Sequence, residues 1–429
     1  MEQSTIALII IAVMMILYVT ELFPLAVTSI LACVAFAVFG VIPMGTAFSG
    51  FGSDIVYLII GMVVVGNALF ETGVAQFVGK TVMSRVGGNE KVFIIAVVLV
   101  STSISMFLSN TATVAIMLPI MTSAVVASKG RLSKKNTFMM VGIVSVAGGG
   151  LTLVGSTPQL IAQGFLKDGG HEYMSFFEIG KIGLPVLLLC LIYFLTIGNK
   201  LQKKAFDFPE VADDISMRNM SGRDKDNSPK NVSKMIISVA ILMFCIVGFI
   251  TGLFSTGIVA MIGASLCILT GCISQKRVFE KMDWTTIVIM GASIGISNGV
   301  AESGGGVVIA QSVINLIGDN MSPWVLSAVL AFVAMVLTNF MSSSATAALL
   351  VPIAGIMALE LGYDVKSTVM IIAIAANIGY ATPIATPPLT MTLAGGYRFK
   401  DYVKVGGLFN LLAYILVILL IPLMLNIYN

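Results

Sequence analysis

Two short polar segments interrupt strongly apolar sequence, one in each half of the chain. The first triplet is Ser109-Asn110-Thr111 and the second is Ser342-Ser343-Ser344, and a proline follows each in the same register, Pro119 and Pro352. Hydroxyl and amide groups can hydrogen-bond an anion, and their oxygens can help to coordinate a small hard cation such as sodium. Polar groups in apolar surroundings are costly unless they have a partner. The repeat therefore indicates a duplicated protein with a paired polar centre.

Each half also contains a stretch rich in Gly, Thr and Pro that should break a helix, 148–158 in the first half and 379–388 in the second. Non-helical backbone at membrane depth is tolerated only where it is buried in protein or lines a cavity. The helix that starts after a break has free N–H groups and a partial positive charge, which attract an anion. Carbonyls released at the break suit sodium. Both kinds of site are therefore predicted twice.

The composition indicates an integral membrane protein. Apolar residues make up 57% of the chain and charged residues 10%, and the mean hydropathy is +1.01, which excludes an ordinary soluble domain. The net charge of +3 does not suggest nucleic acid as a partner. The five cysteines lie in apolar runs without Cys-x2-Cys spacing, so we expect core residues rather than a disulfide framework or a zinc site.

Apolar runs of about 20 residues predict ten membrane crossings. They are 5–20, 24–42, 54–71, 137–165, 182–199, 235–254, 256–273, 284–301, 366–396 and 403–426. Two further runs, 92–128 and 322–359, carry the triplets near their middles and are predicted to be re-entrant hairpins. The long runs 137–165 and 366–396 contain the breaks and are predicted to be broken helices. The predicted fold is an all-α polytopic membrane protein with two repeats of five spans.

The basic residues predict the orientation. With residue 1 outside, only Lys167, Lys181 and Lys366 of the 24 lysines and arginines fall on the outer side. Because cytoplasmic loops retain positive charge, we expect a plasma-membrane protein with both termini outside and a cytoplasmic linker at 201–233. An odd number of spans in each half makes the repeats inverted. No basic side chain is expected at the depth of the polar centre.

Enzyme-like signals are weak. Gly291-Ala292-Ser293-Ile294-Gly295 matches G-x-S-x-G, but the single histidine, His171, belongs to a different loop, so helix packing is the favoured interpretation. The sequence has no G-x4-G-K-[ST] phosphate loop and no H-E-x-x-H. The repeated Asn-x3-Glu-x-Gly pattern at 67–73 and 298–304 is interpreted as a helix C-terminus. A channel would require a continuous polar pore.

The paired triplets and breaks resemble the divalent anion/sodium symporter family of the ion transporter superfamily. That resemblance implies a first sodium site at Ser105, Ser109, Asn110 and a carbonyl near Gly150, and a second at Thr338, Met341, Ser343 and a carbonyl near Ala381. It implies substrate contacts from Asn110, Thr111, Thr152, Ser343, Ser344, Thr382 and Pro383.

The resemblance also implies how the protein moves and assembles. A scaffold domain (1–90 and 234–320) would hold a transport domain (91–200 and 321–429) that moves as a rigid elevator within a homodimer. The function implied is sodium-coupled symport of a small di- or tricarboxylate. The partners would be that anion and membrane lipid, sodium would be the coupling ion, and no organic cofactor is expected.

The sequence departs from the family pattern at four positions. Ser343 lacks the amide of the second triplet, Gln159 and Leu389 replace the asparagine that ends each break, and Ala385 replaces a glycine. These changes leave open which anion is bound and how many sodium ions are coupled. An inorganic oxyanion or arsenite permease and a sodium-independent dicarboxylate exchanger remain alternatives, ahead of a membrane enzyme.

Overall fold

The computed structural model describes residues 2–20, 22–83, 89–128, 131–206, 232–305, 308 and 322–424. All regular secondary structure in these ranges is helical, which confirms the predicted all-α class. Most of the predicted linker 201–233, namely residues 207–231, lies outside them, as do 309–321 and 425–429. The cytoplasmic position of the linker and the outer position of the termini stay predictions.

The first half of the chain forms eleven described α-helices. They are α1 (Gln3–Thr20), α2 (Leu25–Val38), α3 (Met44–Ala47), α4 (Asp54–Glu71), α5 (Val74–Met83), α6 (Glu90–Ser105), α7 (Asn110–Ala127), α8 (Phe138–Gly149), α9 (Thr157–Asp168), α10 (Gly180–Tyr193) and α11 (Asn199–Ala205). A π-helical turn, Phe194–Gly198, joins the last two into one long helix.

The second half repeats the order of the main helices. Its described helices are α12 (Val232–Thr251), α13 (Thr256–Leu269), α14 (Gln275–Lys281), α15 (Trp284–Glu302), α16 (Pro323–Thr338), α17 (Ser343–Glu360), α18 (Val365–Ala376), α19 (Pro387–Thr392) and α20 (Phe399–Met424). In both halves three long helices precede a helix pair, an interrupted helix and a final long helix.

The helix pairs lie where the sequence predicts hairpins. Hairpin A consists of α6 and α7, and hairpin B consists of α16 and α17; in each, the two arms pack against each other. The interrupted helices lie where broken helices are predicted. Break A, residues 150–156, separates α8 from α9, and break B, residues 377–386, separates α18 from α19. That each pair re-enters the membrane from one side stays a prediction.

Six of the described helices are long and apolar enough to cross a membrane, as the hydropathy of the chain requires. They are Asp54–Glu71, Gly180–Ala205, Val232–Thr251, Trp284–Glu302, Ser343–Glu360 and Phe399–Ile421. Several shorter apolar helices, among them α1, α2 and α13, supply further candidates. One of the six is the second arm of hairpin B, so its length alone would allow it to cross.

Glycines end the two helices that carry the repeated Asn-x3-Glu-x-Gly pattern. Helix α4 ends at Glu71 and α15 at Glu302, and the glycines two residues later, Gly73 and Gly304, have φ of 85° and 71°. Only glycine adopts this left-handed conformation without steric cost. The interpretation of the pattern as a helix C-terminus is confirmed.

The glycines of the G-x-S-x-G segment serve packing. A Cβ at Gly291 would lie 2.7 Å from the ring of Phe51, and one at Gly295 would lie 1.9 Å from the carbonyl oxygen of Ala47. The Ser293 hydroxyl donates to the Ile289 carbonyl at 2.7 Å. The hydroxyl of this serine is therefore engaged with its own helix, and the glycines let the Phe51 ring and the Ala47 backbone approach the helix.

Candidate substrate and cation site

The first residue of each triplet caps the second arm of its hairpin. The Ser109 hydroxyl accepts from the Ala112 N–H at 3.2 Å, and the Ser342 hydroxyl accepts from the Ala345 N–H at 3.2 Å. Serine is favoured at this position because its side-chain oxygen satisfies an otherwise free N–H of the first helical turn. Asn110 and Ser343 are consequently the first residues of α7 and α17.

Two pairs of hydrogen bonds tie each hairpin to its broken helix in the same way. Ser105 Oγ lies 2.7 Å from the Ser145 carbonyl oxygen, and Thr338 donates to the Ala376 carbonyl at 2.8 Å. The second pair joins the breaks to the hairpin tips. Thr152 donates to the Met106 carbonyl at 2.5 Å, and Thr382 donates to the Asn339 carbonyl at 2.7 Å.

Oxygen atoms crowd around the Asn110 side chain in the first half. Its Oδ1 lies 2.6 Å from Ser105 Oγ, and the same position is 2.9 Å from the Ser145 carbonyl oxygen and 3.1 Å from that of Gly155. Two arrangements satisfy this geometry. With the amide turned over, its nitrogen would donate to all three oxygens; in the present orientation, a cation shared by the oxygens would remove their repulsion.

Glycine is required beside this oxygen cluster. A Cβ at Gly149 would lie 2.3 Å from Asn110 Oδ1, and one at Gly155 would lie 2.2 Å from the Gly149 carbonyl oxygen. The Gly150 carbonyl is covered in a similar way, because a Cβ at Gly183 would lie 2.0 Å from it. Break A is therefore packed backbone against backbone.

The second half uses a different side chain at the corresponding place. Asn339, in the tip of hairpin B, accepts from the Ala381 N–H at 3.0 Å and donates to the Met335 carbonyl at 2.7 Å. The backbone N–H of Ser343 donates to the Ala385 carbonyl at 3.2 Å. Met341 is fully buried in this tip. The Asn339 amide thus braces break B from the hairpin side.

A cavity of about 550 Å³ lies where the two hairpin tips meet. One wall is formed by the tips and by the residues that end the breaks: Ser109, Asn110, Thr111, Ala112, Val154, Gly155, Ser156, Thr157, Leu160, Ser342, Ser343, Ser344, Thr386, Pro387 and Pro388. The opposite wall comes from α2, from α4, from the end of α14 with the loop that follows it, and from α15. Its polar members are Asn67, Lys281, Asp283, Thr285 and Thr286. The volume is that of a small-molecule site.

The predicted site residues separate into two groups in the structure. Ser109, Asn110, Thr111, Ser343 and Ser344 line the cavity. The others do not line it: Ser105, Gly150, Thr152, Thr338, Met341, Ala381, Thr382 and Pro383. The hydroxyls of Thr152 and Thr382 are already engaged with hairpin carbonyls, as described above. Their predicted role in substrate binding stays a prediction.

Sequence reasoning missed several lining residues. Ser156 and Thr386 are the N-cap residues of α9 and α19, so the start of each second half-helix was the available signal. Lys281, a basic residue, also lines the cavity. The expectation that no basic residue lies at the depth of the polar centre stays a prediction. The carboxylate of nearby Asp283 accepts from the Thr286 N–H at 3.1 Å and from its hydroxyl at 2.5 Å. Lys281 makes no ion pair with any described carboxylate.

The opposite end of α4 carries an ion pair between the two walls. Lys167 Nζ, at the end of α9, lies 2.6 Å from Asp54 Oδ2, at the start of α4. Asp54 also accepts from the Thr256 hydroxyl and the Gly257 N–H, both at 2.9 Å. The side chains of Lys167 and Asp54 are 18% and 27% exposed, which screens the pair only in part. This contact joins α9 to α4 at the end of α4 that is remote from Asn67.

Comparison with known proteins identifies the family. The chain is 27% identical to an uncharacterized transporter of Haemophilus influenzae, covering 96% of this chain and 89% of the relative. It is 25% identical to the sodium-dependent high-affinity dicarboxylate transporter 3 of Caenorhabditis elegans, covering 94% and 80%. The crystal structure of the Alcanivorax borkumensis YdaH transporter has a similar fold, with a TM-score of 0.56 at 14% identity over 89% of this chain and 86% of that one.

The family assignment agrees with the fold and the site. The expected resemblance to sodium-coupled dicarboxylate transporters is confirmed, and the protein is a multi-pass membrane transporter rather than an enzyme. The citrate transporter profile matches residues 15–368. The chain therefore belongs to the citrate transporter (CitMHS) family.

Proposed function

We propose that this protein is a secondary transporter that couples the movement of a small di- or tricarboxylate to sodium. The observation that carries the proposal is the meeting of both hairpin tips in one cavity, which adjoins the oxygen cluster of Ser105, Asn110, Ser145 and Gly155 because Asn110 and Gly155 also line the cavity. An anion and a cation could then be held side by side. Asn110 belongs to both the cavity and the cluster.

The anion part of the proposal rests on helix N-termini and hydroxyls. Helices α7, α9 and α17 all begin at residues that line the cavity, so their free N–H groups and partial positive charges act there together. Asn110, Thr111, Ser343 and Ser344 add amide and hydroxyl donors. Lys281 adds a positive charge on the opposite wall. This set suits more than one carboxylate, because its donors lie on both sides of the cavity.

The cation part rests on oxygen donors. Sodium prefers carbonyl, amide and hydroxyl oxygens, and Ser105, Asn110 and the carbonyls of Ser145 and Gly155 supply all three types. They would hold a first sodium ion, which would bring positive charge next to the anion. Thr338, Met341, Ser343 and Ala381 would supply the second site. The relative titled a sodium-dependent dicarboxylate transporter supports sodium coupling for this chain.

The movement part rests on the two walls of the cavity. We propose that 1–90 and 234–320 form a scaffold within a homodimer, and that 91–200 and 321–429 move past it as an elevator between inverted repeats. By the predicted orientation, Lys281 and Asn67 lie at the cytoplasmic side and the Lys167–Asp54 pair lies at the outer side. The cavity would then be open inward while that pair closes the outer side.

A thermal-shift matrix tests the proposal. The purified protein is heated with citrate, succinate, phosphate, sulfate or arsenite, each in sodium or choline salt, because a ligand that binds the folded state raises its melting temperature. We expect stabilisation by a carboxylate only when sodium is present. Stabilisation by phosphate, sulfate or arsenite alone would support the oxyanion alternative. Equal carboxylate stabilisation in choline would support a sodium-independent exchanger.

A further inference from the structure

Buried polar side chains connect break A with the end of α18, in the other half of the chain. The Ser156 hydroxyl donates to Asn377 Oδ1 at 2.5 Å, and Asn377 Nδ2 lies 3.3 Å from Gln159 Oε1. Gln159 Nε2 in turn donates to the Gly149 carbonyl at 3.3 Å. Relative exposures of 9% for Ser156, 6% for Asn377 and 0% for Gln159 place all three side chains in the interior. We call Ser156, Asn377, Gln159 and the Gly149 carbonyl the cross-half bridge.

The bridge runs from the cavity to the oxygen cluster. Ser156 lines the cavity at one end. At the other end, the Gly149 backbone is so close to Asn110 that a Cβ there would lie 2.3 Å from its Oδ1. Holding the Gly149 carbonyl therefore fixes the backbone against which the Asn110 amide packs.

Asn377 takes part in both breaks at once. Its backbone N–H donates to the Ile374 carbonyl and ends α18 at break B, while its side chain is held by Ser156 and Gln159 of the first half. Its Nδ2 also donates to the Ala373 carbonyl at 3.0 Å, which limits the rotation of the amide. A shift of break B therefore moves an amide that is bonded to Ser156, the last residue of break A, and to Gln159 of α9.

The reciprocal bridge cannot form. In the repeat, Ala147 occupies the place of Asn377, Leu389 that of Gln159 and Thr386 that of Ser156. Alanine and leucine have no hydrogen-bonding side chains. The buried Thr386 hydroxyl has no partner among the described residues. Of the two bridges that the repeat would allow, only the one between Asn377 and the first half is therefore present.

We infer that Asn377 is a positioning residue, which through Gln159 sets the geometry of the Asn110 cluster and so makes ligand binding in the first half depend on the state of break B. The inference deepens the proposed function and rests on it for the identity of the ligands. Its structural part concerns only how one half holds the other.

Three variants and one control test this inference. Asn377→Ala and Gln159→Leu each remove one member of the bridge, and the second copies Leu389 of the other half. The third variant combines them. Gln163→Leu is the control: Gln163 is also a buried glutamine of α9, but it pairs with the backbone of Met174 at 2.8 and 2.9 Å, away from the breaks. All four are compared with the wild type at matched folded fraction.

The first readout is hydrogen exchange of break A, followed by mass spectrometry without ligands. Asn377→Ala should speed exchange at 149–157 although the substitution lies in the other half of the chain. Gln163→Leu should speed exchange around Met174 and leave 149–157 unchanged. Unchanged exchange at 149–157 in Asn377→Ala would overturn the inference, whatever the protein transports.

The second readout is carboxylate uptake at varied sodium. We expect Asn377→Ala and Gln159→Leu to raise the half-saturating sodium concentration about tenfold with little loss of maximal rate, since one buried hydrogen bond is removed. The double variant should be no worse than either single one. If the variants show faster hydrogen exchange but the same dependence of uptake on sodium as the wild type, the bridge is only a structural contact. That result would overturn the inference.

The outcomes of these measurements distinguish a failure of this inference from a failure of the proposed function. If wild-type uptake does not depend on sodium, the proposed coupling is wrong, and the KM for the anion replaces the sodium curve as readout. Asn377→Ala should then raise that KM about tenfold, because Asn110 also lines the cavity. An unchanged KM would overturn the inference, and a raised KM would support it.

Discussion

The two halves of the site share a backbone framework but differ in side chains. Each half ties its hairpin to its broken helix with the same two hydroxyl-to-carbonyl bonds, from Ser105 and Thr152 in the first half and Thr338 and Thr382 in the second. Within that framework, the first half has an amide at 110 where the second has a hydroxyl at 343. The duplication thus preserves the shape of the site, while the chemistry has become unequal.

Packing around the breaks also differs between the two halves. In break A, Gly149 and Gly155 pack backbone against backbone, whereas in break B the equivalent contact is between Gly379 and the side chain of Ala385, 2.8 Å from a Cβ at Gly379. The first half is therefore the tighter of the two. We expect it to hold the main anion and cation contacts.

Removing the Asn110 amide should have the largest effect. Asn110→Ala leaves Ser105 and two carbonyls without their shared partner and should abolish measurable transport. Ser343→Ala removes one hydroxyl and should weaken affinity by roughly one to two decades, since a buried polar partner contributes about 1–3 kcal/mol. Uptake by variants of matched thermal stability measures both. Normal transport by Asn110→Ala, or a greater loss in Ser343→Ala, would reverse the ranking of the halves.

A methyl group in break A should be nearly as damaging. Gly155→Ala places a Cβ 2.2 Å from the Gly149 carbonyl oxygen, and backbone must shift to admit it. Ala385→Gly, its counterpart in the second half, removes a methyl group and should retain most of the uptake. Uptake and melting temperature of the two variants are measured together. If both variants keep the uptake and melting temperature of the wild type, the tighter packing of break A is not needed for function.

Restoring an amide in the second half should change specificity more than stability. In Ser343→Asn the longer side chain gains a donor and an acceptor that reach into the cavity. We expect the KM ratio for citrate and succinate to change several-fold, with a melting temperature close to that of the wild type. Ser342→Asn is the comparison variant, because residue 342 also lines the cavity but caps α17, where asparagine is also a good N-cap. A KM ratio that changes equally in both variants would show that specificity does not depend on residue 343 in particular.

Removing the ion pair between Lys167 and Asp54 should have the smallest effect. The pair belongs to the first half, since Tyr397 occupies the place of Lys167 in the repeat and its hydroxyl donates instead to the Lys135 carbonyl at 2.8 Å. Lys167→Met removes a half-screened pair contributing about 1 kcal/mol and should favour the state in which the outer side opens. In a cysteine-free background, Ser344→Cys should then react several-fold more slowly with thiol reagent from the cytoplasmic side.

A second ion pair provides the control for that experiment. Lys203 and Glu90 lie 2.6 Å apart but are more exposed, at 49% and 35%, and neither residue belongs to the contact between α4 and α9. Lys203→Met should leave the labelling rate of Ser344→Cys unchanged. If the two lysine variants label alike, the Lys167–Asp54 pair does not restrain the movement.

The sequence predicted the helices well because their signals are local. Long apolar runs, paired triplets and Gly/Thr/Pro breaks located hairpins A and B and breaks A and B within a few residues. The predicted run 137–165 falls short of Asp168, the last residue of α9, because Lys167 and Asp168 are charged. The charge of Lys167 is accommodated by its ion pair with Asp54, which no local pattern could reveal.

The site was less predictable because its contacts join distant parts of the chain. Asn377 meets Gln159 across the two halves, and although Gln159 departs from the family pattern, nothing in the sequence indicates Asn377 as its partner. Lys281 was assigned to the cytoplasmic side by its charge, yet this last residue of α14 forms part of the cavity wall. Thr152 and Thr382 had the residue types of ligands, but whether a hydroxyl faces the cavity or a carbonyl depends on tertiary packing.

The most direct test of the central claim is uptake of radiolabelled citrate and succinate by proteoliposomes with an inward sodium gradient. Sodium is replaced by choline at constant pH and ionic strength, with Asn110→Ala as the inactive control. Uptake that rises with the sodium gradient, and is lost in the control, is the predicted result. Carboxylate uptake that is unchanged in choline would contradict sodium coupling.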